Sequence, residues 1–386
     1  MRILGKGKTA LSIKEVYKEA SLYDDANKEE YNNSSDELTV VSPGIPPHNI
    51  LVQNTKNLIS EYDLFYEKMP FTVWISGTNG KTTTTQMLQH LLKDKGSVCG
   101  GNIGTPVATL NSEAKIWILE TSSFTLHYTN QAKPNIYILL PISDDHLSWH
   151  GSFIDYEQSK LKPLSLMSKN DIAIIPSKYK DYKTNANAYY YNSSQDISEL
   201  FNIDRSKINF KEPFLMDSLL SLSVTKLLDN TLDYKLMNSF VQDPHKLEEF
   251  NDAQNRLWVD DSKATNVDAT IQALKTYKEN FIYLILGGDD KGANLIPLFE
   301  TLVHYDVQLY LIGKNSADLN ELSKKFNINA KKVDFLKKAV EEIDKDYNTS
   351  KASVCMLSPA AASLDQFSSY KERGEKFKEF IHSFCY

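Results

Sequence analysis

The sequence has few of the features that mark secreted, membrane or nucleic-acid-binding proteins. Its three cysteines, Cys99, Cys355 and Cys385, are too few and too scattered for a disulfide framework or a zinc site. No apolar run approaches the ~18 residues that span a bilayer, and the first residues lack a long apolar signal region. The net charge is -7, without a long basic stripe. We therefore expect a cytoplasmic chain with reduced thiols, no nucleic-acid partner and no membrane insertion.

What is present predicts an α/β protein. The 386 residues are 41% hydrophobic and 24% charged, which is ordinary for a globular chain of two or three domains. Apolar strand patterns alternate with helical patterns, so we expect largely parallel sheets with ligands at the carboxyl ends of the strands. The predicted domains are 1–70, 71–242 and 243–386. The polar segment 184–196 has no clear period and is interpreted as a surface excursion.

The stretch FTVWISGTNGKTTTT, residues 71–85, is the strongest motif. An apolar strand, a glycine turn and a helix start form an anion site, because glycines let backbone N–H groups approach a phosphate at the positive end of a helix. We expect it to bind a nucleoside triphosphate. Only two residues separate the glycines, unlike the standard P-loop, so an ordinary glycine turn is the alternative. The ATP-binding candidates here are Gly77, Thr78, Asn79, Gly80, Lys81, Thr82 and Thr83.

Other polar residues in the second segment also follow apolar runs. Glu120 ends one such run, where a Mg²⁺ ligand belongs in a phosphate-loop domain, although an isolated glutamate is usually just solvated. His146 follows another and could bind a metal or a phosphoryl group, or be purely structural. Gly100–Gly104 is interpreted as a glycine turn that could grip a ligand. Lys160 lies on a predicted helix, and sequence physics alone makes it a surface charge.

The two ends of the chain show similar but weaker signals. Gly5, Gly7 and Ala10 fit the turn of a dinucleotide-type fold, with Asp24 after the next strand, but a chance match is as plausible. Three predicted strand ends of the third segment should form one crevice that binds an anion and stabilises charge during transfer. Its polar side chains are Lys263, Lys291, Ser358 and Ser363.

Together these strings resemble the Mur ligase family. The matching segments run through the whole chain: ILGKGKTALS, VVSPGI, ISGTNGKTT, GGNIG, ILETSSF, ISDDHLSWH, YEQSK, PHKLE, DDSKATN, LGGDDKGANL and LSPAAASLDQF. The tail SLDQF resembles the D-glutamate-adding branch of that family. The resemblance implies three domains: a Rossmann-like N-terminal domain, a central P-loop ATPase-type parallel sheet and a Rossmann-like C-terminal domain.

The resemblance also implies an activity. The chain would be an ATP-dependent amide ligase of peptidoglycan precursor synthesis, joining D-glutamate to UDP-N-acetylmuramoyl-L-alanine through an acyl phosphate. We expect a monomer that uses ATP and two Mg²⁺ ions. Lys81 would neutralise the phosphates, and the implied metal ligands are Thr82 and Glu120 for one ion, and His146 with a carbamylated Lys160 for the other. Asp261 and Lys263 would lie near the ATP phosphates.

The implied substrate residues are spread over all three domains. The UDP-sugar substrate would be bound by Thr9, Asp24, Ser42, Gly44, Asn102 and His146. The D-glutamate carboxylates would be bound by Thr265, Lys291, Ser363, Leu364 and Tyr370.

Departures from the family pattern accompany this resemblance. Pro141 stands where family members usually have Asn, and Lys246 where they usually have Arg, which Lys cannot copy as a planar fork. The usual asparagines of the adenine pocket are missing near Phe214–Leu222, so the nucleotide site should be built differently. The rival interpretations are a ligase of the same fold with another acceptor, such as a folylpolyglutamate synthase, and a non-catalytic nucleotide-binding switch.

Overall fold

The structure, a computed structural model, describes residues 1–32, 34–53 and 55–383, so Cys385 lies outside the described part. The chain separates into two compact units, Met1–Phe240 and Val241–Tyr386. The described strands form three sheets, two in the first unit and one in the second. This confirms the predicted α/β class with its three sheet layers, while the boundaries 1–70, 71–242 and 243–386 stay a prediction.

The N-terminal sheet is parallel, with strand order β2-β1-β3-β4. The chain turns sharply after β1 at Gly5, whose φ of 105° is in the left-handed region. The first helix ends at Val16, and Tyr17 leaves the helical conformation. The elements are β1 Arg2–Leu4, α1 Lys8–Val16, β2 Ser21–Tyr23, β3 Thr39–Val41, β4 Leu58–Ile59 and α2 Glu61–Phe65.

The central sheet is also parallel, in the order β10-β9-β8-β5-β7-β6. Its inner strands are apolar on both faces because helices cover both sides. The strands are β5 Phe71–Ser76, β6 Ser97–Gly101, β7 Ile116–Glu120, β8 Ile136–Leu139, β9 Ile172–Pro176 and β10 Asn187–Tyr191. The helices are α3 Lys81–Leu92, α4 Ser123–Tyr128, α5 Leu147–His150, α6 Phe153–Leu166, α7 Ser194–Phe201, α8 Phe214–Asp229 and α9 Tyr234–Asn238.

The interpretation of residues 184–196 as a surface excursion was wrong. Asn187–Tyr191 is the edge strand β10, and α7 begins at Ser194. Tyr190 packs with the core on one face of the sheet, whereas Tyr189 and Tyr191 pack with the core on the other. The Tyr191 hydroxyl donates to the Leu139 carbonyl at 2.8 Å. Because tyrosines stand on both faces, the strand shows no apolar alternation in the sequence.

Two buried or half-buried carboxylates join the N-terminal helix α2 to the central sheet domain. Asp63 accepts from the backbone N–H groups of residues 130, 131 and 132, each at 2.8 Å. Glu61 is only 4% exposed and accepts from the N–H of Ala108 at 2.9 Å. Side chains of α2 thus accept from backbone N–H groups of the central sheet domain and fix the two segments to each other.

The sheet of the second unit is mixed, in the order β11-β12-β16-β13-β14-β15. Only β11 runs antiparallel, against β12, among the pairings of the described residues. The ring of the buried Trp258 in β12 packs against that of Phe377, with 5.7 Å between the ring centres, and its Nε1 donates to Asp252 at 2.8 Å. The strands are β11 Glu248–Asn251, β12 Leu257–Asp260, β13 Phe281–Leu286, β14 Val307–Ile312, β15 Ala330–Asp334 and β16 Ser353–Leu357. The helices are α10 Val267–Thr276, α11 Ile296–Leu302, α12 Ser316–Lys325, α13 Leu336–Asp346 and α14 Tyr370–His382.

Within the described ranges, no helix has both the length and the apolar character needed to cross a bilayer.

Candidate active site

The predicted phosphate loop lies between β5 and α3, in the middle of the central sheet. Gly77 has a φ of 139° and Gly80 a φ of 82°, conformations that other residues rarely adopt. A Cβ on Gly77 would lie 2.4 Å from the Cβ of Leu140. The Lys81 ammonium folds back over the loop and donates to the carbonyls of Gly77 at 2.9 Å and Thr78 at 2.6 Å. The loop is therefore a closed turn that presents a cation at the start of a helix.

The remaining loop candidates divide by exposure. Asn79 and Thr82 are half-buried, whereas Thr78 and Thr83 are buried. The Thr78 hydroxyl is 2.9 Å from the Tyr156 hydroxyl and donates to the Ser143 carbonyl at 3.0 Å. Thr78 therefore joins the loop to the segment that follows β8.

Glu120 ends β7 beside the loop, and its two carboxylate oxygens accept from different side chains. The Thr82 hydroxyl donates to Oε2 at 2.7 Å, and the Asn102 amide donates to Oε1 at 2.8 Å. Asn102 sits in a turn after β6 that closes with a bond from the N–H of Gly101 to the Thr105 carbonyl. The structure thus brings the oxygens of Thr82 and Glu120 together as hard ligands of the kind that suits Mg²⁺, while the Asn102 amide N–H orients the carboxylate.

Lys160 is buried in α6, so the surface interpretation was wrong. Its side chain is 1% exposed, and Nζ donates to the Gly77 carbonyl at 2.7 Å. The ammonium lies 4.8 Å from the centre of the Tyr156 ring. Burial, reinforced by the charge of Lys81, lowers the pKa of Lys160 well below its usual value. Burial at this position therefore favours the neutral amine relative to the charged ammonium.

His146 lies in the segment after β8, the strand next to β5. Its backbone is left-handed, with a φ of 54°, and Nε2 lies 3.7 Å from Asp145 Oδ2. The ring packs against Phe124 at 4.7 Å, and Phe124 also stacks on Trp149 at 4.5 Å. The side chain is 48% exposed and is therefore open to a ligand.

Four of the predicted UDP-sugar residues follow the carboxyl ends of β1, β2 and β3 of the N-terminal sheet: Thr9, Asp24, Ser42 and Gly44. Asp24 pairs with Lys6 at 2.9 Å, and that hydrogen bond lowers the pKa of Asp24. A Cβ on Gly5 would come within 2.8 Å of the Ser42 Cβ, so the turns after β1 and β3 touch. Thr9 lies in the first turn of α1, and Gly44 follows Ser42 in the next turn. These residues share one edge of the sheet, as parallel topology requires.

The crevice predicted in the second unit forms in part around Asp261. The Ser358 hydroxyl donates to Asp261 Oδ2 at 2.7 Å, and burial raises the pKa of Asp261 to about 7. The turns after β13 and β16 also meet, because Asp289 and Ala362 exchange two backbone hydrogen bonds at 2.9 Å. Strand ends of β12, β13 and β16 therefore approach one another as expected.

The remaining candidates of the second unit differ in exposure. Lys263 Nζ lies 3.3 Å from the Tyr370 hydroxyl and 4.6 Å from that ring's centre. Ser363 is buried, whereas Leu364 is 64% exposed. The other exposed candidates are Thr265 and Lys291. Lys246, which stands in place of the usual Arg, pairs with Asp243 at 3.2 Å.

Three residues of these sites were missed by sequence reasoning. Tyr156 links Lys160 to the phosphate loop, and its place four residues before Lys160 on one helix face could have revealed it. Arg373 is 1% exposed and donates to the Ser262 hydroxyl and to the carbonyls of Ser262 and Ala361. Asp217 reaches the phosphate-loop helix from α8, and no sequence spacing indicates that contact.

Comparison with known proteins agrees with this architecture. Residues 75–212 match the Mur ligase middle domain. A UDP-N-acetylmuramoylalanine–D-glutamate ligase of Campylobacter jejuni is 49% identical, with 98% of each chain covered. The enzyme of that name from Helicobacter pylori is 44% identical, again with 98% of each chain covered. A MurF ligase from Thermotoga maritima, solved in complex with ADP, has the same fold at a TM-score of 0.62 and 16% identity, covering 99% of this chain and 93% of that one.

The chain belongs to the Mur ligase family, in its group of UDP-N-acetylmuramoylalanine–D-glutamate ligases. The predicted family and branch are confirmed. The departures at Pro141 and Lys246 therefore lie within this group and do not remove the chain from it.

Proposed function

We propose that this protein catalyses the ATP-dependent addition of D-glutamate to UDP-N-acetylmuramoyl-L-alanine, a step of peptidoglycan precursor synthesis. The observation that carries the proposal is the 44–49% sequence identity to ligases with that name, over 98% of each chain. A non-catalytic switch is disfavoured because the loop lysine, the Thr82–Glu120 pair and a buried Lys160 occur together.

ATP fits the loop between β5 and α3. Backbone N–H groups at the start of α3 would bind phosphate oxygens. The Lys81 ammonium, which now donates to two loop carbonyls, would donate to the phosphate oxygens instead. The MurF ligase of the same fold was solved with ADP, which supports this use of the fold. In the second unit, we assign Asp261 and Lys263 to the ATP phosphates, as the family resemblance implies.

The donor groups of the central domain fit two Mg²⁺ ions. The Thr82 hydroxyl and the Glu120 carboxylate, 2.7 Å apart, would hold the first. His146 would hold the second with Lys160, once carbamylation has given the Lys160 side chain carboxylate oxygens. The ions would supply charge neutralisation to the transferring phosphoryl group. Asn102 keeps the Glu120 carboxylate oriented through its amide hydrogen bond.

The proposed reaction has two steps. The carboxylate of UDP-N-acetylmuramoyl-L-alanine attacks the γ-phosphorus of ATP, forming an acyl phosphate and releasing ADP. The amine of D-glutamate then attacks the acyl carbon, and inorganic phosphate leaves through a tetrahedral intermediate. Lys81 stabilises the charge of the first step and Lys291 that of the second.

The two substrates would be held by the residues that the resemblance assigns. We propose that the UDP-sugar is bound by Thr9, Asp24, Ser42, Gly44, Asn102 and His146. We propose that the D-glutamate carboxylates are bound by Thr265, Lys291, Ser363, Leu364 and Tyr370. The protein would act as a monomer in the cytoplasm, where ATP and the nucleotide-linked substrate are available.

The test measures ADP and phosphate release with ATP, Mg²⁺ and UDP-N-acetylmuramoyl-L-alanine. D-glutamate is compared with L-glutamate, L-alanine and meso-diaminopimelate, and the product mass is determined. Release that requires D-glutamate, with a product heavier by one glutamyl residue, is the expected result. Release with another acceptor would refute the assigned pocket, and acceptor-independent hydrolysis without a new amide would refute ligase activity.

A further inference from the structure

The carboxylate of Asp217 is buried directly against the phosphate loop. Asp217 lies in the first turn of α8 and is only 3% exposed. Its Oδ1 accepts from the Thr84 hydroxyl of α3 at 2.9 Å. The same oxygen would be 2.6 Å from a Cβ on Gly80, so it fills the space beside the last residue of the loop. An acidic oxygen therefore touches both the loop and the helix that follows it.

Thr84 connects this carboxylate to the backbone of the loop. Its N–H donates to the Gly80 carbonyl at 2.9 Å, and its hydroxyl lies 3.1 Å from that carbonyl. The hydroxyl has one proton, so Gly80 and Asp217 share it, and the Asp217 oxygen, at the shorter distance, receives the larger part. Thr84 is fully buried, so water does not compete.

A second hydroxyl, that of Ser221 on α8, also joins α8 to α3 beside the contact between Thr84 and Asp217. Ser221, one turn after Asp217, donates to the Asp217 carbonyl at 2.8 Å and to the Thr84 carbonyl at 3.2 Å. The helix start that would bind phosphate is thus tied to α8 by both a carboxylate and a hydroxyl. This is the segment in which the sequence lacks the asparagines expected of an adenine pocket.

We propose that Asp217 is a positioning residue of the nucleotide site: it fixes the Gly80 peptide and the first turn of α3 so that their N–H groups keep the geometry that binds phosphate. The inference rests on the proposed use of ATP. Asp217 acts through Gly80 and Thr84 and does not itself contact the nucleotide.

The experiment uses full-length variants and measures a separate KM for each of the three substrates. Asp217→Ala should raise the KM for ATP about tenfold, the scale of one buried hydrogen bond. Thr84→Val, which is isosteric and replaces only the hydroxyl, should have the same effect. The KM values for the UDP-sugar and for D-glutamate should change less than twofold. Asp217→Asn keeps an acceptor oxygen and should restore most of the ATP affinity.

Ser223→Ala is the matched control. Ser223 is fully buried on the same helix, but its hydroxyl donates within α8, to the Leu220 carbonyl at 2.7 Å. This variant should leave the KM for ATP unchanged. The double variant Asp217→Ala/Thr84→Val should lose little more than either single one, because both remove the same contact.

The outcomes separate this inference from the proposed function. If the wild-type protein does not use ATP, the proposed function fails. If wild type uses ATP but Thr84→Val keeps its KM for ATP within twofold, the positioning role is overturned, and this holds even where Asp217→Ala does not fold. A similar rise of all three KM values would also overturn it, since that result indicates general destabilisation.

Discussion

Replacing Glu61 with Gln should make the protein more stable at alkaline pH and leave it unchanged in acid. Glu61 is 4% exposed, and burial raises its pKa from 4.5 to about 7, although backbone N–H groups of Ala108 and Val107 oppose the increase. Glutamine keeps an amide oxygen for the Ala108 N–H but cannot ionise. The variant therefore isolates the cost of burying a charge.

The sign and size follow from proton linkage. Below pH 4.5 Glu61 is protonated in both the folded and the unfolded state, so its ionisation does not change the free energy of unfolding. Between pH 4.5 and about 7 the folded protein keeps a proton that the unfolded chain releases, so the free energy of unfolding falls as the pH rises. Above about pH 7 the buried Glu61 is ionised, and the free energy of unfolding is lower by about 3 kcal/mol, which corresponds to a pKa that moves from 4.5 to about 7.

The assay is urea denaturation of wild type and Glu61→Gln at pH 4.5 and pH 8.5. We expect equal midpoints in acid and a higher midpoint for the variant in alkali. Glu67→Gln is the control, because Glu67 is exposed nearby in the same segment and should show no such pH-dependent difference. A gain of the same size at both pH values, or a less stable Glu61→Gln at pH 8.5, would refute the reasoning.

Three further predictions concern the proposed site. Lys81→Ala and Lys291→Ala should each lower kcat by about 10²–10³, the scale for one preorganised charge; near-normal ADP release would contradict their roles. Gly77→Ala should abolish nucleotide binding in calorimetry, because its φ is 139° and a Cβ would meet the Leu140 Cβ at 2.4 Å; retained affinity would show that the loop can shift. Removing CO₂ should lower activity, which bicarbonate restores in wild type but not in Lys160→Gln; bicarbonate-independent activity would argue against carbamylation.

The phosphate loop could be predicted from the sequence because its determinants are local. A run of β-formers precedes glycines that must adopt left-handed backbone, and a helix-forming segment follows. The position of Glu120 could be predicted for the same reason, since it ends an apolar strand. In these cases the neighbours along the chain decide the structure.

Lys160 could not be placed correctly from its residue type, because the loop carbonyl that accepts from its Nζ is 83 residues away in the chain. The Gly77 carbonyl and the Tyr156 ring surround its ammonium, and a helical lysine without that cover would be solvated. The family resemblance assigned Lys160 a role as a metal ligand, which stays a prediction. Asp217 was missed because its partner Thr84 is 133 residues away in the chain.

The missed strand β10 lies at an edge of its sheet. It is rich in tyrosine, and an edge strand has less apolar cover than a central one. Its formation depends on a neighbouring strand that is already in place.

The placement of Trp258 gives the protein a natural optical probe. The sequence has four tryptophans, and Trp258 is the one that falls within Val241–Tyr386. It is buried against Phe377, so its emission should respond when the core of that unit opens. The other three, Trp74, Trp117 and Trp149, belong to the first unit. Subtracting the spectrum of a Trp258→Phe variant from that of wild type would report the unfolding of the second unit alone, without any attached dye.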